Sequence, residues 1–316
     1  MEINVDLSII IPTRNTCVQT VEAVASVLAG PDPPTREVFV MDNGSTDGTA
    51  ETVPEEFPAV HYRRLENNLG FAKTVNLAAH DAKGEFLLLL NSDARLNHAS
   101  LAAAVAWMSA HPECGIAGAQ LLHPDGRRQN SIANFPTLAT ELLNKSLLRR
   151  LWPRHFPGKE HFFNQPMEVE SVIGAFFLTR KKLWDELGGL DERFFFFFEE
   201  TDFCLRTRRA GAKIMHLPQV TVLHGQGQSA RQMPTAARIE YWRSRYAYFK
   251  KHFSPVDCCT LRLGLATRLL VDTVISLMLT LLTLGRSRRW RERLIVQFAL
   301  MAWHLRGCPK SAGLPH

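Results

Sequence analysis

The sequence predicts a doubly wound α/β sheet followed by a basic, helical C-terminal extension. In the first half, short apolar runs alternate with segments of helical spacing, the pattern of a mainly parallel sheet. One run, Phe86–Leu90, has no polar face, as a central strand covered on both sides requires. Charge sets the extension apart. Residues 226–316 hold 15 Lys and Arg against 4 Asp and Glu, whereas residues 1–225 hold 22 against 27. A basic tail on an acidic body points to an anionic partner such as lipid headgroups or nucleic acid. With 316 residues, 46% hydrophobic and 22% charged, the composition is that of a folded globular chain, large enough for one α/β domain and an appendage.

In chain order, Leu7–Ile11 reads as a buried strand ended by Pro12, and Val18–Leu28 as a helix. Glu37–Met41 is a second strand, Val60–Leu65 a third, and Phe71–Ala82 a helix. After Phe86–Leu90 come the helix Ala99–Ala110 and the strand Gly115–Leu122. Residues 125–170, rich in Pro, Arg and aromatic side chains, read as loops with short helices. Order returns with the strand Ser171–Thr179 and the helix Arg180–Leu187. The Phe run Phe194–Phe198 then leads into a helix over Glu199–Ala210, and Lys213–Leu217 is a late strand extended by Val220–His224. The six cysteines include no C-x-x-C pair, so neither a zinc site nor a secreted disulfide framework is expected. No basic region followed by an apolar one opens the chain, so no signal peptide is expected and the body is placed in the cytoplasm.

Ligands of such sheets bind beyond the carboxyl ends of the strands, which directs attention to the residues just after them, Pro12–Asn15, Asp42–Asp47 and Asn91–Asp93. Asp42-Asn43-Gly44-Ser45-Thr46-Asp47-Gly48 can turn tightly, and Asp42 can accept hydrogen bonds from a base ring. A turn with a helix N-cap explains Ser45 and Asp47 equally well. Asn67-Asn68-Leu69-Gly70-Phe71 precedes a helix whose N-terminus suits a diphosphate, with Lys73 and Asn76 on the following turns. It is also an ordinary capped helix start. Asn91-Ser92-Asp93 places a carboxylate at a strand mouth, where it can ligate a hard cation that neutralises a leaving diphosphate. Glu199-Glu200-Thr201-Asp202 sets three carboxylates at a helix start, which the helix dipole tolerates. One of them is a candidate general base, raised by its like-charged neighbours and the Phe run. His224, at a strand end, can complete a metal shell.

The ordered set SIIIPTRN, VMDNGSTDGT, NNLGFAKTVNLAA, LLLLNSDARL, GAFFLTRKKLWDELGGLDERFFFFFEETDFCLRTRRAGAKI and VLHGQGQS resembles the inverting family-two glycosyltransferases. The likeness is to their bacterial rhamnosyltransferase and galactofuranosyltransferase branch, over roughly residues 5–230. It implies the GT-A nucleotide-sugar-binding fold, a nucleotide-sugar donor and a divalent metal, Mg2+ or Mn2+. By position, Pro12, Thr13, Asn15 and Asp42 resemble the nucleoside-binding residues. The segment with Asn68, Gly70, Lys73 and Asn76 resembles the diphosphate site, and Asn91 and Ser92 lie beside it. Asp93 matches the last acid of the D-x-D metal motif, Glu200 the base, and His224 a metal-binding His of the galactofuranosyl relatives. The first D-x-D position is Asn91, so the motif carries one firm carboxylate. The implied reaction is transfer of a sugar, L-rhamnose from dTDP-rhamnose by the branch resemblance. The implied acceptor is a glycan or lipid-linked saccharide of cell-surface polysaccharide synthesis. The alternative is a catalytically silent nucleotide-sugar-binding or membrane-recruited partner subunit, which has little reason to keep Asp93, Glu200 and His224 together.

The catalytic domain is assigned to residues 1–235 and the helical extension to 236–316. Leu265–Leu284 is apolar but interrupted by Arg268 and Asp272, which reads as too short a pure run for one membrane crossing. Arg268, Asp272, Ser276, Thr280 and Thr283 share one helix face, with Leu, Ile and Met on the others. The run Arg286–Arg293 and a second apolar helix, Leu294–Leu305, follow. This pattern suits peripheral binding to an anionic membrane surface, on the cytoplasmic face of the inner membrane. A hairpin packed on the body, or a homo-oligomer interface, is the other reading. Long apolar stretches and the lack of a nucleic-acid motif argue against nucleic acid.

Overall fold

The computed structural model describes residues 5–29, 34–96, 98–152, 164–225 and 233–315. Strand β1 (Leu7–Thr13) pairs in parallel with β2 (Arg36–Asp42) on one side and β4 (Phe86–Leu90) on the other, and β2 pairs in parallel with β3 (His61–Arg64). Helices α1 (Cys17–Leu28), α2 (Thr49–Glu56) and α3 (Phe71–Asp81) connect them. This half is the alternating pattern the sequence predicts. The next strands are β5 (Ala94–Leu96) and, after α4 (His98–Ala110), β6 (Cys114–Leu122), then the short β7 (Ile132–Ala133), β8 (Met167–Glu168) and β9 (Ser171–Val172). Strand β10 (Phe176–Arg180) enters antiparallel between β4 and β6, and β11 (Lys213–His224) runs parallel to β6 and antiparallel to β5. The main sheet has the order β3-β2-β1-β4-β10-β6-β11-β5, with β8 added to β11.

Two expectations change in detail. The strand expected over Ser171–Thr179 is broken, because Ile173 N–H donates to the Ser131 carbonyl while the Ala175 carbonyl accepts from Asn91 N–H. The chain thus crosses from the small β7–β9 sheet to the main one at Gly174. The late strand and its extension are one strand, irregular in register between Leu217 and Thr221. Within residues 125–170, the helices α5 (Leu138–Leu142) and α6 (Lys145–Leu151) are short, as expected.

Strand side chains alternate between two buried layers. Ile9, Ile11, Val40, Leu88 and Leu90 pack toward α1 and α4, whereas Ile10, Met41, Leu87 and Leu89 pack with Val75, Trp184 and Phe203. Phe86–Leu90 is buried throughout, which explains its missing polar face. Each such Leu or Ile contributes about 1.5–3 kcal/mol by leaving water.

After α7 (Lys181–Leu187) and α8 (Glu199–Arg209), the chain ends in three helices. These are α9 (Pro234–His252), which straddles the expected domain boundary, α10 (Pro255–Leu282) and α11 (Arg288–Leu305). A third core joins Phe194 and Phe198 to Trp242, Tyr248, Leu261, Leu265, Leu269 and Trp303. Helix α10 begins at Pro255 behind a capping box between Ser254 and Asp257. It is therefore long and apolar enough to cross a membrane by length and composition, which corrects the expectation of too short a run. The Arg run falls mostly inside α11 rather than between the helices.

Candidate active site

The carboxyl ends of β1, β2 and β4 open into one cleft. Hydrogen bonds between the loops set its shape. Asn15, in the left-handed region at φ 51°, accepts through Oδ1 from Thr46 N–H at 2.8 Å, and its own N–H donates to Ser45 Oγ at 2.9 Å. Asp47 Oδ2 accepts from Cys17 N–H at 2.8 Å and caps α1. The Asn43 amide donates to Asn68 Oδ1 at 2.6 Å and accepts from Leu69 N–H at 2.8 Å, joining the loop after β2 to the loop after β3. Buried hydroxyls of Thr13, Thr16 and Ser92 link the first loop to the end of β4. Gly70 has φ 81°, and a Cβ there would lie 2.5 Å from the Phe195 carbonyl oxygen. Only glycine lets Phe195 close over this loop.

Of the residues expected at the donor, Pro12, Thr13, Asn15, Asn68, Gly70, Asn91 and Ser92 line the cleft together with Asp93. Asp42 lies beneath it, fully buried, with Oδ1 accepting from Ser45 N–H and Oδ2 from Tyr62 Oη at 2.7 Å. Burial and this carboxylate push the Tyr62 hydroxyl pKa up. Two residues depart from the expectation. Asn76 clamps the backbone of Leu190, donating to its carbonyl at 2.8 Å and accepting from its N–H at 2.9 Å. That engagement leaves it no role in the cleft wall. Lys73 is exposed on α3 and is not a lining residue. The structure adds Arg14, Asn43, Phe195 and Phe196 to the lining. Arg14 sits inside the PTRN segment, so its place was readable. The two Phe residues belong to the Phe194–Phe198 run, whose composition gives no sign that it closes over the strand-end loops.

Asp93 and His224 meet at the cleft's edge. His224 Nε2 lies 3.3 Å from Asp93 Oδ1, both side chains are 7% exposed, and Asn91 Nδ2 is 3.4 Å from the same nitrogen. Gly225 N–H donates to the Asp93 carbonyl at 2.8 Å, holding the two segments together. Gln129, unnoticed in the sequence, orients the imidazole. Its Oε1 is 3.0 Å from His224 Nδ1 and its Nε2 donates to the His224 carbonyl at 2.6 Å. With the Nδ1 proton directed to Gln129, Nε2 presents its lone pair toward Asp93. Two donors about 2.1 Å from an octahedral cation on adjacent positions stand about 3 Å apart, so this pair fits a divalent metal. Among the described residues no group of three or more His, Cys, Asp or Glu side chains gathers for one. Such an ion would take its remaining ligands from the donor and water. The end of the VLHGQGQS segment, residues 226–229, lies outside the described residues.

The carboxylates at the start of α8 separate by environment. Phe197 and Phe198 adopt φ 71° and 72°, a left-handed conformation costing about 1–2 kcal/mol per residue. Packing on Tyr241 and Tyr248 holds it, and this turn aims the helix start. Glu200 is partly exposed and packs over Gly174, whose absent Cβ would lie 3.6 Å from Glu200 Cγ. Ala175, next in the chain, is bonded to Asn91. Desolvation raises the Glu200 pKa. Glu199 is buried, with Oε2 lacking a hydrogen-bond partner, and desolvation followed by the Glu200 charge raises it well above the carboxylate range. Both carboxyls are thus shifted upward, Glu199 the more enclosed of the two. Burial also acts on Asp202, but His252, Lys251 and Arg206 outweigh it and hold its pKa low. Its contacts are 2.7 Å to His252, 2.6 Å to Lys251 and 2.8 Å to Arg206.

Residues near the C-terminus reach the same cleft. Arg243, paired with Glu240, donates to the carbonyls of Pro309, Lys310 and Ala312. Leu314 and Pro315 then line the cleft, where the Pro315 carbonyl accepts from Asn68 Nδ2 at 2.6 Å and Arg14 Nη1 at 3.1 Å.

A family model described as Glycosyl transferase family 2 matches residues 8–188. The chain is 28% identical over 279 residues to an N-acetylglucosaminyl-diphospho-decaprenol L-rhamnosyltransferase of Mycobacterium tuberculosis, covering 82% of this chain and 88% of that protein. It is 26% identical over 254 residues to an O-antigen biosynthesis protein of Myxococcus xanthus, covering 77% of this chain and 19% of the much longer relative. A mannosyltransferase from Pyrobaculum calidifontis, solved in complex with GDP-Man and Mn2+, matches with a TM-score of 0.56 at 17% identity, over 96% of this chain and 87% of that one. The sheet and its flanking helices are the GT-A fold.

Proposed function

The chain belongs to glycosyl transferase family 2, and on that premise we propose that it transfers L-rhamnose from dTDP-rhamnose to a hydroxyl of a lipid-linked saccharide, inverting the anomeric centre. The observation that carries this reading is the cleft that gathers the strand-end loops beside the Asp93–His224 pair, with the half-buried Glu200 outside its lining but over Gly174, one residue from the Ala175 contact to Asn91. Pro12–Asn15 and the Asn43–Asn68 contact shape the donor pocket, with Asp42 bracing it from below. Arg14 supplies a cation for the donor's phosphates. Glu200 takes the proton from the acceptor hydroxyl as that oxygen attacks from the face opposite the leaving group. Phe195 and Phe196 exclude water from one wall, which strengthens every charge interaction inside. A divalent metal held by Asp93 and His224, Mg2+ or Mn2+, would supply counter-charge for the departing diphosphate. The relative in M. tuberculosis bears the name of a decaprenol-linked acceptor, which supports a lipid-linked acceptor here.

Saturation-transfer NMR of the full-length protein against a panel of nucleotide sugars, with Mg2+ and with Mn2+, tests the donor. Signals from dTDP-rhamnose are expected. Signals from other nucleotide sugars and none from dTDP-rhamnose would overturn the assignment.

The tail contact makes a separate prediction. A donor that engages Asn68 and Arg14 must displace Pro315 from both. Net hydrogen bonds contribute about 0.5–1.5 kcal/mol each, so deleting residues 313–316 is expected to lower donor KM about tenfold with kcat little changed. The anchor on Arg243 is kept in this variant. An unchanged KM would show that tail and donor do not compete.

A further inference from the structure

We propose that the α10–α11 hairpin is a docking surface for an anionic lipid bilayer, applied through its outward apolar face. The hairpin is built inside out for a helix pair in water. Of the polar stripe the sequence shows on α10, Ser276 is buried, and Thr280 and Thr283 are partly so. Asp272 faces Arg293 of α11 at 3.9 Å, and Gln297 of α11 is buried as well. The opposite face shows Val271, Val274, Ile275, Met278, Leu281 and Leu282, each between 47% and 77% exposed. These side chains cover an arc of roughly 120° at 3.6 residues per turn. A water-facing helix turns its Ser and Thr outward and its Leu inward; this one does the reverse over its last three turns. Ile295 and Phe298 of α11 add to the exposed surface at 62% and 50%.

Charge identifies the occupant. Arg286, Arg288, Arg289, Arg291 and Arg293 are all exposed at the turn and on the first turns of α11, and Glu292 is the one acid among them. The Arg289 and Arg293 guanidinium groups lie 5.1 and 5.7 Å from the centre of the Trp290 ring. Apolar side chains flanked by Arg and Trp match the boundary between acyl chains and phosphate headgroups. A second copy of the chain fits less well, because a two-fold contact through this face would bring two Arg clusters together. The base of the hairpin is fixed to the catalytic body, since Leu261, Leu265 and Leu269 pack in one core with Phe194 and Phe198. A bound bilayer would thus stand at a set height from Glu199 and Glu200. Docking is independent of the donor and acceptor proposed above, because vesicle binding requires neither.

The test is sedimentation of the full chain with vesicles of phosphatidylcholine alone or mixed with phosphatidylglycerol, at low and high salt. Binding to the anionic vesicles is expected at low salt, at least tenfold weaker on phosphatidylcholine and reduced by salt. Met278→Glu with Leu282→Glu, both at exposed positions, is expected to release the protein. Arg288→Glu with Arg289→Glu is expected to weaken binding more than tenfold, since each basic residue near the surface contributes about fivefold. A full-length chain that stays in the supernatant with anionic vesicles at low salt would overturn the proposal. So would binding that persists undiminished in both variants. A dimer in sedimentation equilibrium that the Glu pair converts to monomer, without vesicle binding by the parent, would assign the face to a second copy.

Discussion

Glu200→Gln is expected to lower kcat by about a hundredfold or more while donor affinity stays nearly unchanged, the usual scale for a lost general base. Glutamine keeps the size and hydrogen bonding of the side chain but cannot take the acceptor proton. The neighbouring carboxylates are poor substitutes for different reasons. Glu199 is buried away from the acceptor side, so Glu199→Gln is expected to cost little turnover. Asp202 is fully buried beneath Arg206, Lys251 and His252. Asp202→Asn is therefore expected to act on melting temperature, because it leaves the half-buried Arg206 and Lys251 short of a partner. The pH profile gives a second reading. The base works ionised, and burial raises the Glu200 pKa, so activity should be full at high pH and fall as pH drops through a limb above the ordinary carboxylate range. That limb should vanish in Glu200→Gln. Near-normal turnover in Glu200→Gln, with Glu199→Gln inactive, would move the base to Glu199. A product of retained anomeric configuration would defeat direct displacement itself.

Asp93→Ala is expected to abolish transfer and to weaken donor binding. The substitution removes the one carboxylate of the pair at the cleft's edge and leaves His224 as the remaining protein ligand for a cation. Titration calorimetry of donor binding, with and without Mn2+ or Mg2+, reads this without turnover. The wild-type protein should bind donor more tightly with metal, and Asp93→Ala should lose that difference. Gln129→Ala should act in the same direction through the orientation of His224, with metal affinity lowered about 10- to 100-fold, the common effect of losing such a support. Full activity of the wild-type enzyme in excess chelator would remove the metal from the mechanism.

Particular residues show which parts of the site were legible in sequence. Asn15 and Asp93 are legible because residues directly after buried strands mark the mouth of an α/β sheet, and Asn68 and Gly70 because they precede a helix N-terminus and match the family pattern. Asn76 and Lys73 are not legible in this way, because position on a helix does not say which way a side chain turns. Asn76 faces Leu190, 114 residues later, and nothing in its own segment announces that partner. Gln129 stands in a stretch without periodicity, and its role depends on His224, 95 residues away.

Taken alone, the sequence determined the alternation of strands and helices, the three loops at the strand ends, the acidic start of α8 and the basic, apolar extension. These follow from periodicity, turn chemistry and charge, which neighbouring residues carry between them. Tertiary structure alone decided the antiparallel entry of β10 between β4 and β6, the meeting of His224 with Asp93, and the seating of Pro315 against Asn68. It also turned Thr273 and Ser276 of α10 inward. Each of these is a choice among partners distant in the chain, such as Asn91 and His224 at 133 residues apart. Such choices are made by the packing of whole faces, because a side chain buried on one face must find shape and hydrogen-bond partners that its own segment does not contain.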